Sequence, residues 1–556
     1  MKTFRFIMLS NVVFAQVLLC QTISAQVTFT SSNLPIVVVD THGQTIVNEP
    51  KITADMGIID NGEGVRNYIT DPQNDFKGKV GIEIRGSTSQ MFFPKKQYAV
   101  ETRNDLGADT SVSLLGLPEE SDWTLYAPYS DKTFFRNVLT YWLSAKLGRY
   151  ASRFKFCELV INGEYMGVYV LFEKIKRGKN RVDISKLTSL DVTGDDLTGG
   201  YILKVDKTDG AGNGGWESPY PPFFAAWQKI LWQYHYPKPE DITQEQSAYI
   251  QNIIGGFESL MNSSNFDDQQ NGYPAIIDVP SFVDNFLINE MSKNVDAYRL
   301  STFFYKDKDS KNPKLFAGPV WDYNIAWGNS NYYSSSVTSG WHLAFLSSDL
   351  TFMTTDQFQP PFWWKKLYVE PHFRIQYANR WYALRKNELS FSNIYHFIDS
   401  LKTLVNEAQV RNYQRWPILG QWIWPNDYVG QTYNDEVTHL KNWILERFIW
   451  MDGELQKYVQ VDDPQNESPT TFQLGQNYPN PFNPETKIGF QVPENCFVDL
   501  HVFDVLGEEV AHPISEFKTA GKYEIAVRLT GTGSGLYFYK LKAGSFSEIR
   551  KMILLK

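Results

Sequence analysis

Within residues 289–328, two aspartates stand where their carboxylates could share one cleft. Asp296 ends a helix-like run, and Asp322 follows a short apolar strand inside Pro319-Val320-Trp321-Asp322-Tyr323-Asn324. Residues 301–305 and 314–320 read as strands, and their spacing permits a hairpin that brings the two acids together. Such a pair suits phosphoryl transfer, in which one carboxylate positions an acceptor hydroxyl and another holds Mg²⁺ against phosphate. Mg²⁺ prefers oxygen ligands and keeps several waters, so one or two carboxylates suffice.

The elements that must hold this pair are β-rich upstream and helical downstream. Val80, Ile82 and Ile84 alternate on one face of a strand, and 94–101 resume as another after Arg85-Gly86-Ser87-Thr88-Ser89. Small hydroxyl residues beside a glycine suit backbone contact with phosphate, and equally suit a polar hairpin loop. Phe134, Phe135, Val138, Leu139, Trp142, Leu143 and Leu147 recur at helical spacing, with Ser130 as the expected cap and Gly148 as the stop. Arg136 and Asn137 are polar positions of that helix, read as its solvated face. Residues 156–172 form a hairpin about Asn162-Gly163, a pair favoured in two-residue turns. Residues 199–206 add a further strand to what reads as one N-terminal sheet, and 209–216 are a glycine-rich loop. From Thr243 onward the pattern is helical: Tyr249, Ile253, Phe257 and Leu260, then 282–291, 362–384 and 439–450. After a polar linker, strand-like runs at 487–492, 497–504, 523–529, 535–541 and 548–555 are punctuated by glycine, which suggests a small β-sandwich.

Composition narrows the function classes. A net charge of −9 without a basic block argues against nucleic-acid binding, which needs a clustered cationic face. Residues 1–25 resemble a secretory signal: Lys2 and Arg5, an apolar run to Cys20, and Ile23-Ser24-Ala25 before Gln26. No later stretch is long and apolar enough to span a bilayer. Of three cysteines, Cys157 and Cys496 remain after the signal, too few for a disulfide scaffold or a cysteine zinc site. The eight histidines are scattered, with no His-Glu-x-x-His.

Two stretches resemble known families. Residues 35–455 resemble the spore-coat CotH kinase family, an atypical group with a protein-kinase-like fold. The resemblance rests on Arg85-Gly86-Ser87-Thr88-Ser89 with Pro94-Lys95-Lys96, Asp122-Trp123, and Asp131 with Arg136-Asn137. It continues through the 162–169 hairpin leading to Glu173, then Asp296 and Trp321-Asp322-Tyr323. Residues 472–556 resemble the C-terminal sorting domain of bacterial type IX secretion, through Tyr478-Pro479-Asn480-Pro481-Phe482-Asn483-Pro484, 503–507, Ser534-Gly535-Leu536-Tyr537 and Arg550-Lys551-Met552.

The resemblances imply an α+β chain. A signal occupies 1–25. A protein-kinase-like two-lobed domain spans 26–457, with a sheet-rich lobe to about 208 and a mainly helical lobe from 209. A linker covers 458–471, and an all-β sandwich covers 472–556. They imply an exported protein, at the cell surface or in the medium, that engages the type IX machinery. It would transfer phosphate from ATP with Mg²⁺ to Ser or Thr of surface or envelope proteins. In kinase order Asp296 is the catalytic aspartate, and Asp322 with Asn324 holds the metal. Lys96, with Lys95 as the less favoured neighbour, contacts the nucleotide phosphates. Arg85 is a second phosphate contact, and Glu173 lies near the adenine hinge. The chain departs from the kinase pattern at three places. It lacks a G-x-G-x-x-G loop, Ser301 stands where a metal-binding asparagine is usual, and Asn324 replaces a second aspartate.

Two other classes compete. A non-catalytic surface binding or structural module could use Trp363-Trp364, Trp416, Trp422 and Trp424 as carbohydrate platforms, although such spacing also fits a packed core. Glycoside hydrolysis needs two carboxylates at a defined separation, and no motif here resembles one.

Overall fold

The computed structural model describes residues 27–208, 214–222, 228–459, 469 and 471–556. The expected signal, most of the linker, Trp227 and part of the glycine-rich loop lie outside the described residues. The chain is a mixed α+β protein in two compact units, 1–445 and 446–556, and the division falls inside the helix Tyr433–Gln456.

In the first unit seven strands close into a barrel. They are β1 (Ile36–Asp40), β2 (Ile52–Ile59), β3 (Phe76–Arg85), β4 (Gln97–Arg103), β5 (Asp122–Tyr126), β6 (Phe154–Ile161) and β7 (Glu164–Glu173), in the order β1-β2-β3-β4-β5-β7-β6. The sequence suggests a sheet of several strands; what closes it is the parallel pairing of β1 with β6, Ile36 opposite Glu158, between segments far apart in the chain. Alternation sends Val37, Val39, Val80, Ile82, Val100, Leu125 and Leu171 into one apolar core. The β6–β7 hairpin turns at Asn162-Gly163, both with positive φ (50° and 79°), as the pair suggests. β7 is buried along nearly its whole length because the helix Asn406–Arg415 covers it. Asn412 Oδ1 accepts there from Val168 N (3.1 Å) and Lys95 Nζ (2.9 Å).

A second sheet of five strands follows: β8 (Tyr201–Val205), β9 (Gly215–Glu217), β10 (Leu231–Tyr236), β11 (Thr302–Lys306) and β12 (Leu315–Ala317), in the order β9-β10-β8-β11-β12. Thus 199–206, grouped by sequence with the N-terminal sheet, pairs instead with the strand after Asp296, Val205 opposite Thr302. The β11–β12 hairpin expected between the two aspartates is present.

Helix α1 (Arg136–Lys146) is capped by Asp131, whose carboxylate accepts from Arg136 N at 2.8 Å, rather than by Ser130. Arg136 and Asn137 are buried, not solvated: Arg136 pairs with Asp131 at 2.6 Å. Helix α2 (Val279–Ser292), capped by Asp278, is almost wholly buried beneath the second sheet. The 362–384 pattern is two helices, Phe362–Val369 and Pro371–Arg385, broken where proline cannot continue the first. Trp363 and Trp364 are fully buried core residues.

The second unit holds two antiparallel sheets around one core that includes Leu474, Val498, Leu500, Tyr539 and Met552. One comprises β13 (Gln473–Leu474), β14 (Glu485–Val492) and β17 (Gly521–Arg528). The other runs β16 (Glu509–Lys518), β15 (Cys496–Phe503), β18 (Gly535–Ala543), β19 (Phe546–Leu554). Of the two strands absent from the sequence reading, the longer, β16, contains Pro513 and lies at a sheet edge, where a missing N–H is tolerated. Among the described residues no helix is long and apolar enough to cross a membrane.

Candidate active site

A cleft of about 520 Å³ opens in the first unit where β3, β7 and β8 end and where 296–301 and 321–325 pass. Arg85, Asp296, Asp322 and Asn324 all line it.

Asp322 sits at the base of an apolar exit from β12, with φ +64°. That region is sterically costly for a residue with a Cβ, so something must hold it there. Helix α1 does so. Asp322 N donates to Tyr141 Oη at 3.1 Å, and Tyr323 N donates to Asn137 Oδ1 at 2.5 Å. The Tyr323 hydroxyl then donates to Asn289 Oδ1 of α2 at 2.7 Å. Trp321 stacks on Tyr141 with centroids 5.9 Å apart, and the Arg85 guanidinium lies over the Trp321 ring at 5.6 Å. The side chain of Asp322 opens to the cleft yet is ringed by protein, so it touches water without being fully hydrated. That environment, with the charges of Asp296 and Asp206 nearby, raises its carboxyl to about 6, while Arg85 and Lys207 pull the other way.

Asp296 follows the left-handed stop of α2 at Lys293 (φ 43°). It pairs with Arg299 at 3.1 Å, and Arg299 also reaches Asp356 at 3.1 Å. Burial raises its carboxyl too, opposed first by Arg299.

Sequence reasoning missed Asp206. It ends β8 one step beyond the Val205–Thr302 pair, which sets it beside Ser301, whose hydroxyl is 3.5 Å from Asp206 Oδ2. Thus a carboxylate stands beside Ser301, the position that departs from the kinase pattern. The readable signal was a charged pair, Lys204 and Asp206, closing an otherwise apolar strand; their side chains are 3.3 Å apart.

Lys96 and Glu173 do not line the cleft. Lys96 Nζ donates to the carbonyls of Gln90 (2.6 Å) and Phe93 (2.7 Å), closing the loop beneath Thr88–Phe92. Lys95 is fully buried, donating to Val168 O at 2.6 Å. Glu173 is sealed by Arg153 at 2.9 Å and by Arg181. In both places the next residue, Gln97 or Lys174, faces the cleft instead. Neighbouring residues of a strand point to opposite sides, so a one-residue error of phase reverses the assignment. The cations that do line it include Arg85, Lys174 and Lys207, the last with Nζ 3.4 Å from Thr88 Oγ1.

The donor set fits a hard divalent cation. Three carboxylates face a shared cleft, where burial and then the neighbouring acidic charges raise Asp296 and Asp322, and Mg²⁺ would relieve that repulsion. The neighbouring cations suit phosphate charge. Such a site can hold a polyphosphate, a metal and an acceptor hydroxyl together.

The family described as CotH kinase protein matches residues 82–451, and the one described as secretion system C-terminal sorting domain matches 476–555. No curated protein matches the chain.

Proposed function

The chain belongs to the CotH kinase protein family, and from that premise we propose that it is an exported atypical protein kinase. It moves the terminal phosphoryl group of ATP, with Mg²⁺, to Ser or Thr hydroxyls of surface or secreted proteins. The C-terminal domain is of the type IX sorting kind and marks the chain for export to the cell surface or the medium. The barrel with its following loop is read as the smaller kinase lobe, and the helix-rich remainder of the first unit as the larger.

The observation that carries this reading is the shared cleft of Asp206, Asp296 and Asp322, with Arg85 and Lys207 among its cations. Asp296 orients the acceptor hydroxyl and takes its proton as the new O–P bond forms and ADP departs with the bridging oxygen. Asp322, Asp206 and Asn324 would hold Mg²⁺, which when bound offsets phosphate charge. Arg85 and Lys207 steady the phosphates. Incubating the exported protein with labelled ATP, Mg²⁺ and candidate surface proteins tests the reading. Label on Ser or Thr, lost in Asp296→Asn, is expected. No transfer to any acceptor or to the protein itself overturns it.

Asn324, a neutral oxygen where a second carboxylate is usual, favours a second reading, a kinase-like surface module that binds without turnover. Nucleotide binding without transfer, under conditions that support both, would select it.

A further inference from the structure

The C-terminal unit carries a cluster of possible metal donors. On β15, Asp499 and His501 alternate with buried Val498, Leu500 and Val502, so both project from the outer face of their sheet. The β15–β16 register shifts between Leu500 and Val502, and there the edge strand delivers His512 to the same spot. The two imidazoles lie face to face, with centroids 4.1 Å apart and planes 18° from parallel. His501 Nε2 is 2.9 Å from one oxygen of Asp499, and His512 Nε2 meets the other. The remaining nitrogen of His501, Nδ1, is 3.0 Å from Glu509. The ligand atoms of Asp499, His501 and His512 all lie within 4.8 Å of one another, the one such group among the described residues.

Asp499 is shared by both rings, and two cationic imidazoles stacked so closely would repel. One metal ion among the three ligand atoms would remove that repulsion, with the rings turning so that both Nε2 lone pairs meet it. We propose that His501 Nε2, His512 Nε2 and Asp499 bind a zinc-class divalent cation, and that Glu509 accepts the Nδ1 proton of His501 and fixes its tautomer. Two imidazoles and a carboxylate are an established zinc donor set, and three protein ligands leave a position for water. An outer carboxylate on the second ring nitrogen is the usual companion of a metal-bound histidine.

The same geometry selects against calcium and magnesium. Those ions take six or more oxygens, and here the carboxylates are Asp499 and Glu509 alone. Lys540 and Lys542 stand opposite His501 and Asp499 on β18, adding repulsion that only strong nitrogen coordination outweighs. The side chains of His501, Asp499 and His512 are 19%, 25% and 37% exposed, so an ion enters directly from solvent.

The test uses the purified full chain, free of added metal, titrated with Zn²⁺ in competition with a chromogenic chelator. One tight equivalent is expected, unaffected by Asp322→Asn in the cleft of the first unit and undisplaced by Ca²⁺. His512→Ala, His501→Ala and Asp499→Asn should each weaken it at least tenfold, and Glu509→Gln by about tenfold. Substituted Co²⁺ should give the intense visible absorption of a four-coordinate site in the parent and not in His512→Ala. Far-ultraviolet dichroism without metal checks that each variant is folded. Absence of a tight equivalent in the parent, or one that survives the His501→Ala/His512→Ala double variant, overturns the proposal.

Discussion

The backbone amide of Asp322 donates to the Tyr141 hydroxyl across 3.1 Å, which ties the aspartate at the floor of the cleft to the buried face of α1. With Asn137 gripping the next amide, helix α1 acts as the mould for the 321–324 turn. Tyr141→Phe keeps the ring that stacks on Trp321 and removes only the acceptor. A net loss of about 1 kcal/mol in stability is expected, with at least a tenfold fall in Mg²⁺-dependent transfer. Denaturant midpoints and initial rates measure the two. Equal activity in the variant would mean that the turn is held without α1.

The sequence locates that turn but not its mould. Trp321-Asp322-Tyr323 is visible as a motif, and Asn162-Gly163 as a turn, because each is a local pattern. The burial of Arg136 and Asn137 is not visible, since polar residues on a helix look solvated until the partner that accepts or donates is known. Asp206 escaped notice for the same reason. It becomes functional only through the pairing of β8 with β11, and the intervening hundred or so residues carry no mark of that register. Lys96 and Glu173 each lie one residue from a side chain that faces the cleft, and in β7 the phase is hidden because a helix covers the strand and buries both of its faces.

The phase error makes an expectation of its own. Lys207→Ala should weaken nucleotide binding at least tenfold, because its ammonium lines the cleft. Lys96→Met should change it less than twofold while costing about 1–3 kcal/mol of stability, since two backbone carbonyls lose their donor. Calorimetric titration with a non-hydrolysable ATP analogue separates them. A large affinity loss in Lys96→Met alone would restore the original assignment.

Asp322 makes metal affinity depend on pH. With its carboxyl raised to about 6, a proton competes with Mg²⁺ below that value. Affinity is expected to climb as pH rises through 6 and to level off above it. For stability without metal the sign is opposite: the folded state holds this proton more tightly than the unfolded one. The contribution is therefore largest below the ordinary carboxylate range and is lost as pH rises through about 6. Mg²⁺ titrations from pH 5 to 8 should show the climb in the parent, and a flat dependence would remove Asp322 as the ligand.

His235 works the other way. Burial pushes its imidazole down to about 4, and its Nε2 lies 2.8 Å from the Ile175 carbonyl, so it is neutral in the fold. An unfolded chain takes up a proton below the ordinary value near 6.5, whereas the folded one does not. Stability is therefore complete above about 6.5 and falls as pH drops toward 4, by about 3 kcal/mol at most from this residue. His235→Gln should flatten that decline in denaturant midpoints between pH 7 and 4. Part of the slope remains, because His439 is also pushed down to about 4. An unchanged profile would show that His235 takes up its proton as readily in the folded protein as in the unfolded chain.

The strain at Asp322 gives the sharpest separation of stability from function. Its φ of +64° suits glycine, is tolerated by aspartate and asparagine, and disfavours alanine. Its charge is also set against Asp296 and Asp206. If the residue is retained for chemistry, every uncharged replacement abolishes Mg²⁺ binding, but the metal-free stabilities differ in a set order. Asp322→Gly should be the most stable, Asp322→Asn next and Asp322→Ala the least, with about 1 kcal/mol between glycine and alanine. Glycine and asparagine should both exceed the parent at pH 8, where the like charges are complete. Thermal melts in chelator, beside Mg²⁺ titrations, measure both halves. A glycine variant less stable than the parent would show that Asp322 holds the fold rather than being held by it, and the case for this turn as a site built at the expense of stability would fail.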